Sequence, residues 1–249
     1  MQSLKNASLE FRVWKWNFLE IAFFSCFALL GIYVALNTGI SWDEEAEYKT
    51  YLINLAALQG VVHGDLGSYA ELTKYYDRYY GVGFHMLAHS LGSFFHSFIP
   101  NLLTHSNLGS RLIWGHLSTF LAFMGSGLVF RALILEITKD RIIAFLGALT
   151  FFLWPYLFGH ALMNVKDMPF LFAWISCTYL AIKLFIKCSN GKLPSWKWFA
   201  LLGVLTGWLI SIRVSGILIF IEYFWLLFFG FFPSFKSLAR SMSGRQIVG

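Results

Sequence analysis

Three short polar stretches interrupt an oily sequence, and each carries residues suited to chemistry: SWDEEAEY (41–48), NVKDMP (164–169) and SIRVSG (211–216). Asp43 and Glu44 open a loop just after the first long apolar run. Close to a membrane surface, partial desolvation raises a carboxylate's proton affinity and suits it to take a proton from an acceptor hydroxyl. The same pattern also reads as an ordinary helix start, with Ser41 as N-cap and acids at the positive end of the dipole. Lys166 and Asp167 precede Pro169, which fits the first turn of a helix. Either they cap that helix, or Lys166 binds an anionic headgroup that Asp167 orients and the helix N-terminus assists. Arg213 lies between Ile212 and Val214 in the longest apolar stretch and needs a compensating anion there. A bidentate phosphate is one natural partner; Asp167 or Glu222 within the chain is the other.

The remaining ligand-type residues say less. His85, His89 and His96 fall roughly on one helical face, at i, i+4 and i+11, but no carboxylate partner is evident beside them, so metal binding is not supported. His160, beside the NVKDMP loop, is the better candidate for a substrate contact. Cys26, Cys177 and Cys188 lack the paired spacing of a disulfide framework or a zinc site. No cofactor is expected, and a divalent metal has no support in the spacing.

The elements that must position these residues are membrane helices. The 249 residues are 57% hydrophobic and 13% charged, with mean hydropathy +0.62, which excludes an ordinary soluble domain. Apolar windows at 18–36, 112–135, 142–163, 169–186, 198–212 and 214–232 predict about six transmembrane spans in an all-α, polytopic bundle. The first window follows a basic start but has no small-residue cleavage site, so it reads as a retained span rather than a signal peptide. The 198–232 stretch is too long for one span, and Arg213 with Ser215 and Gly216 predicts a re-entering turn inside it. Basic residues set the orientation. Lys5, Arg12 and Lys15, then Arg131, Lys139 and Arg141, then Lys183, Lys187, Lys192 and Lys197, then Lys236, Arg240 and Arg245 share one alternate set of connections, expected to be cytoplasmic. Topology thus accounts for the net charge of +6, and nucleic acid is not an expected partner. All three polar stretches then face the other side. The segment 37–111 is expected to be an external loop with interfacial helices, and 82–103 to lie at the interface rather than cross. Residues 1–249 form a single transmembrane domain in this reading.

Taken together, the acidic pair Asp43-Glu44, the Lys166-Asp167-x-Pro169 loop and the Arg213-x-x-Gly216 turn on polytopic spans resemble the C-type glycosyltransferases. They are most similar to the protein O-mannosyltransferase and aminoarabinose transferase-like superfamily, especially its bacterial family 39 members. GHALMNVKDMPF (159–170) looks like the H-x-x-x-N-x-K-D-x-P-F stretch of that subgroup. The resemblance implies inverting transfer of a hexosyl or pentosyl unit from a polyprenyl-phosphate donor to a lipid, glycan or protein acceptor. It places the reaction at the extracytoplasmic face, in a bacterial inner membrane. Carried across, Asp43 is the base, Glu44 an acceptor or sugar contact, Lys166 and Arg213 the phosphate-neutralising cations, and Asp167 a brace for Lys166 or a sugar hydroxyl. Relatives of that superfamily carry more spans and a Pro-Pro motif in the first external loop, absent here, so an N-terminal portion or short form is expected. The competing expectation is a non-catalytic transporter or lipid-binding scaffold, or an inactive truncated enzyme; the lack of an inverted repeat places transport second.

Overall fold

The computed structural model describes residues 2–98 and 107–229. The basic tail residues Lys236, Arg240 and Arg245 lie outside them, as do the last residues expected in the 82–103 and 214–232 segments and the side chains of Lys5, Arg12, Lys15 and His96.

All regular structure among the described residues is helical. In order these are α1 (Gln2–Leu36), α2 (Glu44–His63), α3 (Gly67–Lys74), α4 (Gly83–Phe98), α5 (Asn107–Thr138), α6 (Arg141–Leu153), α7 (Pro155–Ala161), α8 (Asp167–Ser189) and α9 (Trp196–Ile212). A last apolar helix, α10 (Val214–Phe229), opens with the 3-10 turn Val214–Leu218.

Helix α5 runs through the middle and packs against α1, α4, α6, α7 and α8. Its Phe120 and Phe123 are fully buried with Phe152 of α6, and the Phe123 and Phe152 rings meet edge-on at 5.4 Å. The aromatic residues therefore build part of the core. A second core joins Cys177 of α8, Leu209 and Ile212 of α9, Ile219 of α10 and Phe84 of α4.

Three helical stretches are long and apolar enough to cross a membrane: Phe18–Leu36, Trp114–Thr138 and Asp167–Ser189. Their outer faces expose Ile21, Leu29 and Leu30 on α1 and Leu121 and Leu128 on α5. Apolar surface this extensive suits hydrocarbon rather than water. The expected 142–163 span is a bent pair, α6 and α7, turning 63° at the break, and counting it as one span brings the total to four. The cause is Pro155, which cannot donate a backbone N–H and pushes Trp154 out of helical geometry (φ −71°, ψ 113°). Instead Pro155 starts α7, where its missing donor costs nothing. Helices α9 and α10 are apolar but shorter than a full span, so the six expected spans become three or four by length and composition. The turn expected at Arg213 is present: Leu209 meets Gly216 and Thr206 meets Tyr223, so α10 folds back along α9. Gly216 is required by that close approach, because a Cβ there would lie 2.9 Å from Leu209 Cγ. At 16 residues, α4 is not among the spanning helices and packs on α5, α9 and α2.

Polar side chains gather at two levels. At one, Glu20 of α1 accepts from Arg131 Nη2 at 2.5 Å and from Arg141 Nε at 2.9 Å. The other begins with His116, about 22 Å back along α5 at 1.5 Å per residue. All three polar stretches of the sequence collect there.

Candidate functional site

The end of α1 leads through Ser41 and Trp42 into α2, which begins at Glu44 with Asp43 as its N-cap residue. The expected Ser41 cap is not made, and the Asp43 side chain forms no capping hydrogen bond either. Glu44 and Glu47, three apart, share a face of α2 that points into the bundle, while Glu45 is exposed. The bend at Pro155 brings α7 and His160 to the same level. After α7 the chain turns through Asn164 and starts α8 at Asp167, with Pro169 in its first turn as predicted. Arg213 sits in extended conformation between α9 and α10.

These segments enclose a cavity of about 540 Å³. Asp43, Glu44, His160, Lys166, Asp167 and Arg213, every site residue expected from the sequence, line it. So do Glu47, Asp77, Tyr80 and Asn164, which the sequence reading did not single out.

Their pairings differ from expectation. Lys166 is not braced by its neighbour Asp167: its Nζ donates to Glu47 Oε1 at 2.5 Å and lies 3.9 Å from the centre of the Tyr80 ring. Its side chain is only 11% exposed. Asp167 instead forms an ion pair with Arg213, whose side chain is 41% exposed and lines the cavity. The in-chain anion for Arg213 is therefore Asp167 and not Glu222, which accepts from Trp174 Nε1 at 3.0 Å.

The two acids of the opening pair also separate. Glu44 is buried and its Oε1 lies 2.8 Å from Nε2 of the buried His116, while its Oε2 has no hydrogen-bond partner. Asp43 is exposed, with no side-chain hydrogen bond or ion pair among the described residues. The desolvation proposed for a base thus falls on Glu44, and Asp43 is the open carboxylate. Burial of Glu47 acts to raise its pKa, but His85, 3.8 Å away, and the Lys166 ammonium outweigh it and hold the carboxyl below the ordinary range.

Behind this cavity is a small one of about 30 Å³, room for about one water, between Glu44, His85 and His116. His85 does have a carboxylate beside it, that of Glu47, contrary to the expectation from sequence, and its Nε2 is buried without a hydrogen bond. Among the described residues, no group of three or more His, Cys, Asp or Glu side chains is placed to hold a metal ion.

Close backbone packing fixes the cavity rim. Gly81 and Gly83 lie directly on the end of α9, where a Cβ on either would collide with Ser211, and Trp208 Nε1 donates to the Gly83 carbonyl at 3.4 Å. Only glycine permits such an approach.

The missed residues left traces in the sequence. Glu47 follows Glu44 at helical spacing, and His116 is a lone polar ring inside an apolar window. Compared with protein-family models, with curated proteins and with solved structures, the chain finds no match.

Proposed function

We propose that this chain is a glycosyltransferase that moves a sugar from a polyprenyl-phosphate-linked donor to an acceptor hydroxyl at the extracytoplasmic face of a membrane, with inversion. The observation that carries this reading is convergence: Asp43, Lys166 and Arg213, far apart in sequence, line one cavity at the opposite end of the helices from the Glu20 cluster. That separation agrees with a basic, cytoplasmic end and an extracytoplasmic site. This orientation needs six spans, so the reading takes α6 and α7 as one bent span and the shorter α9 and α10 as a hairpin pair, in addition to α1, α5 and α8.

The lining suits the two halves of such a donor. Five carboxylates, from Asp43, Glu44, Glu47, Asp77 and Asp167, supply acceptors for sugar hydroxyls, while the half-buried Arg213 offers a charged fork to the phosphate. Asp43 takes the proton of the acceptor hydroxyl as its oxygen bonds to the anomeric carbon. The bond from that carbon to the phosphate oxygen breaks on the opposite side, and the electron pair leaves with the lipid phosphate. Arg213 neutralises the charge that develops there, with Lys166 behind it. The phosphate leaves as an anion and needs no second acid.

A binding role without catalysis, as in a transporter or lipid-binding scaffold, is the second reading, and the carboxylate partners already held by both cations favour it. Reconstitution into vesicles with a panel of polyprenyl-phosphate sugars separates the two. Release of polyprenyl phosphate, lowered about 10²- to 10⁴-fold by Asp43→Asn, supports transfer. Movement of a lipid-linked sugar across the bilayer without release, or turnover unchanged by Asp43→Asn, overturns it. Arg213→Ala should weaken binding of polyprenyl phosphate more than that of the uncharged polyprenol; equal losses would assign Arg213 to packing.

A further inference from the structure

Asn164 uses its whole side-chain amide. Its Oδ1 accepts from the backbone N–H groups of Lys166 at 3.2 Å and Asp167 at 2.7 Å, in effect capping α8 from three residues before it. Its Nδ2 donates to Asp167 Oδ2 at 3.0 Å and lies 2.9 Å from His160 Nδ1. Two backbone donors can meet only the oxygen end of an amide, and a carboxylate oxygen can meet only the nitrogen end. The orientation of the amide is therefore fixed from both sides, and its remaining proton is directed at His160 Nδ1. That nitrogen must hold a lone pair, so the single proton of the neutral imidazole sits on Nε2.

Two further contacts keep the ring in place. The Asn164 N–H donates to the His160 carbonyl at 2.8 Å, and the Tyr156 ring lies 4.5 Å from the imidazole. His160 lines the large cavity, and its Nε2 has no partner among the described residues.

We infer that Asn164 is a positioning residue that locks His160 as the Nε2–H tautomer, giving the cavity a fixed hydrogen-bond donor for an acceptor oxygen on the ligand. A hydroxyl or a phosphate oxygen meets that requirement. His160 is thereby excluded as a proton acceptor on the cavity side, and proton abstraction falls to a carboxylate. The assignment does not rest on glycosyl transfer, since it holds for any ligand the cavity takes.

The test is the protonation pattern of the ring, read from long-range ¹H–¹⁵N spectra of the full chain in nanodiscs with ¹⁵N-labelled histidine imidazoles. The signal is assigned by its loss in His160→Gln. In the unsubstituted protein Nδ1 should be the bare nitrogen and Nε2 the protonated one, with a bias of about fivefold or more, the factor carried by a hydrogen bond of about 1 kcal/mol. Asn164→Asp retains an oxygen for the two backbone N–H groups but replaces the donor with an acceptor, and should move the proton to Nδ1. A ring in the unsubstituted protein that carries its proton on Nδ1, or shows no preference, overturns the inference whether or not the variant folds. So does an Asn164→Asp spectrum with the proton still on Nε2. Loss of glycosyl transfer alone would leave this result standing.

Discussion

The polar clusters at the two ends of α5 draw on the same residue types and use them differently. At the Glu20 end one carboxylate meets two guanidinium groups, both of its oxygens are engaged, and among the described residues there only Arg131 Nε is left buried without a partner. At the cavity end five carboxylates share two cations, and Glu44 Oε2, Glu47 Oε2 and His85 Nε2 are all buried without hydrogen bonds. Buried polar groups are normally satisfied because leaving one bare costs about 1–3 kcal/mol. A cluster that closes its hydrogen bonds holds helices together. One that leaves such bonds unmade, with Glu47 Oε2 and His85 Nε2 facing each other at 3.8 Å, is less tightly closed.

Stability measurements in detergent or bilayers should separate the two ends. The largest effect belongs to Glu20→Ala, which strands the mostly buried Arg131 and should cost about 3 kcal/mol, the lower end of the range for breaking a buried pair, because Arg141 is 40% exposed. Next is His116→Leu, which leaves the buried Glu44 carboxylate with no partner at all and should cost about 1–3 kcal/mol. Adding Glu44→Leu should recover part of that loss. Smaller is the pH dependence carried by Glu47. Its pKa is depressed in the folded protein, so its contribution is present at neutral pH and is lost as pH falls through the depressed value, below 4.5. Glu47→Gln should flatten unfolding curves in that acid window and leave them unchanged where the carboxyl is ionised in both states, apart from a constant offset. The smallest effect is expected for Asp43→Asn, within about 0.5 kcal/mol. A loss at Asp43 as large as that at Glu20 would abolish the contrast between the clusters.

Much of the frame was legible because run length and hydropathy are local properties: α1, α5 and α8 follow from windows, and Pro169 marks where α8 starts. The bend between α6 and α7 was legible too, in Pro155, but a hydropathy window averages over a single residue. The turn between α9 and α10 was legible in Arg213 and Gly216, but span number was not, because the two helices on either side of that turn are each shorter than a full span. The site residues could be named from their chemistry and their places at the ends of apolar runs. Their pairings could not. Lys166 has Asp167 next to it and yet pairs with Glu47, 119 positions away, because a helix start points neighbouring side chains in different directions. Asn164 was visible only as part of a motif; its four hydrogen bonds depend on the turn that forms around it.

The seam where Gly81 rests on the Ser211 and Ile212 carbonyls has a mechanical consequence. Side chains absorb small displacements by changing rotamer, whereas main chain pressed on main chain has no such slack. A tilt of the α9–α10 hairpin would therefore bear directly on Gly81 and on its neighbour Tyr80, the ring against which the Lys166 ammonium rests.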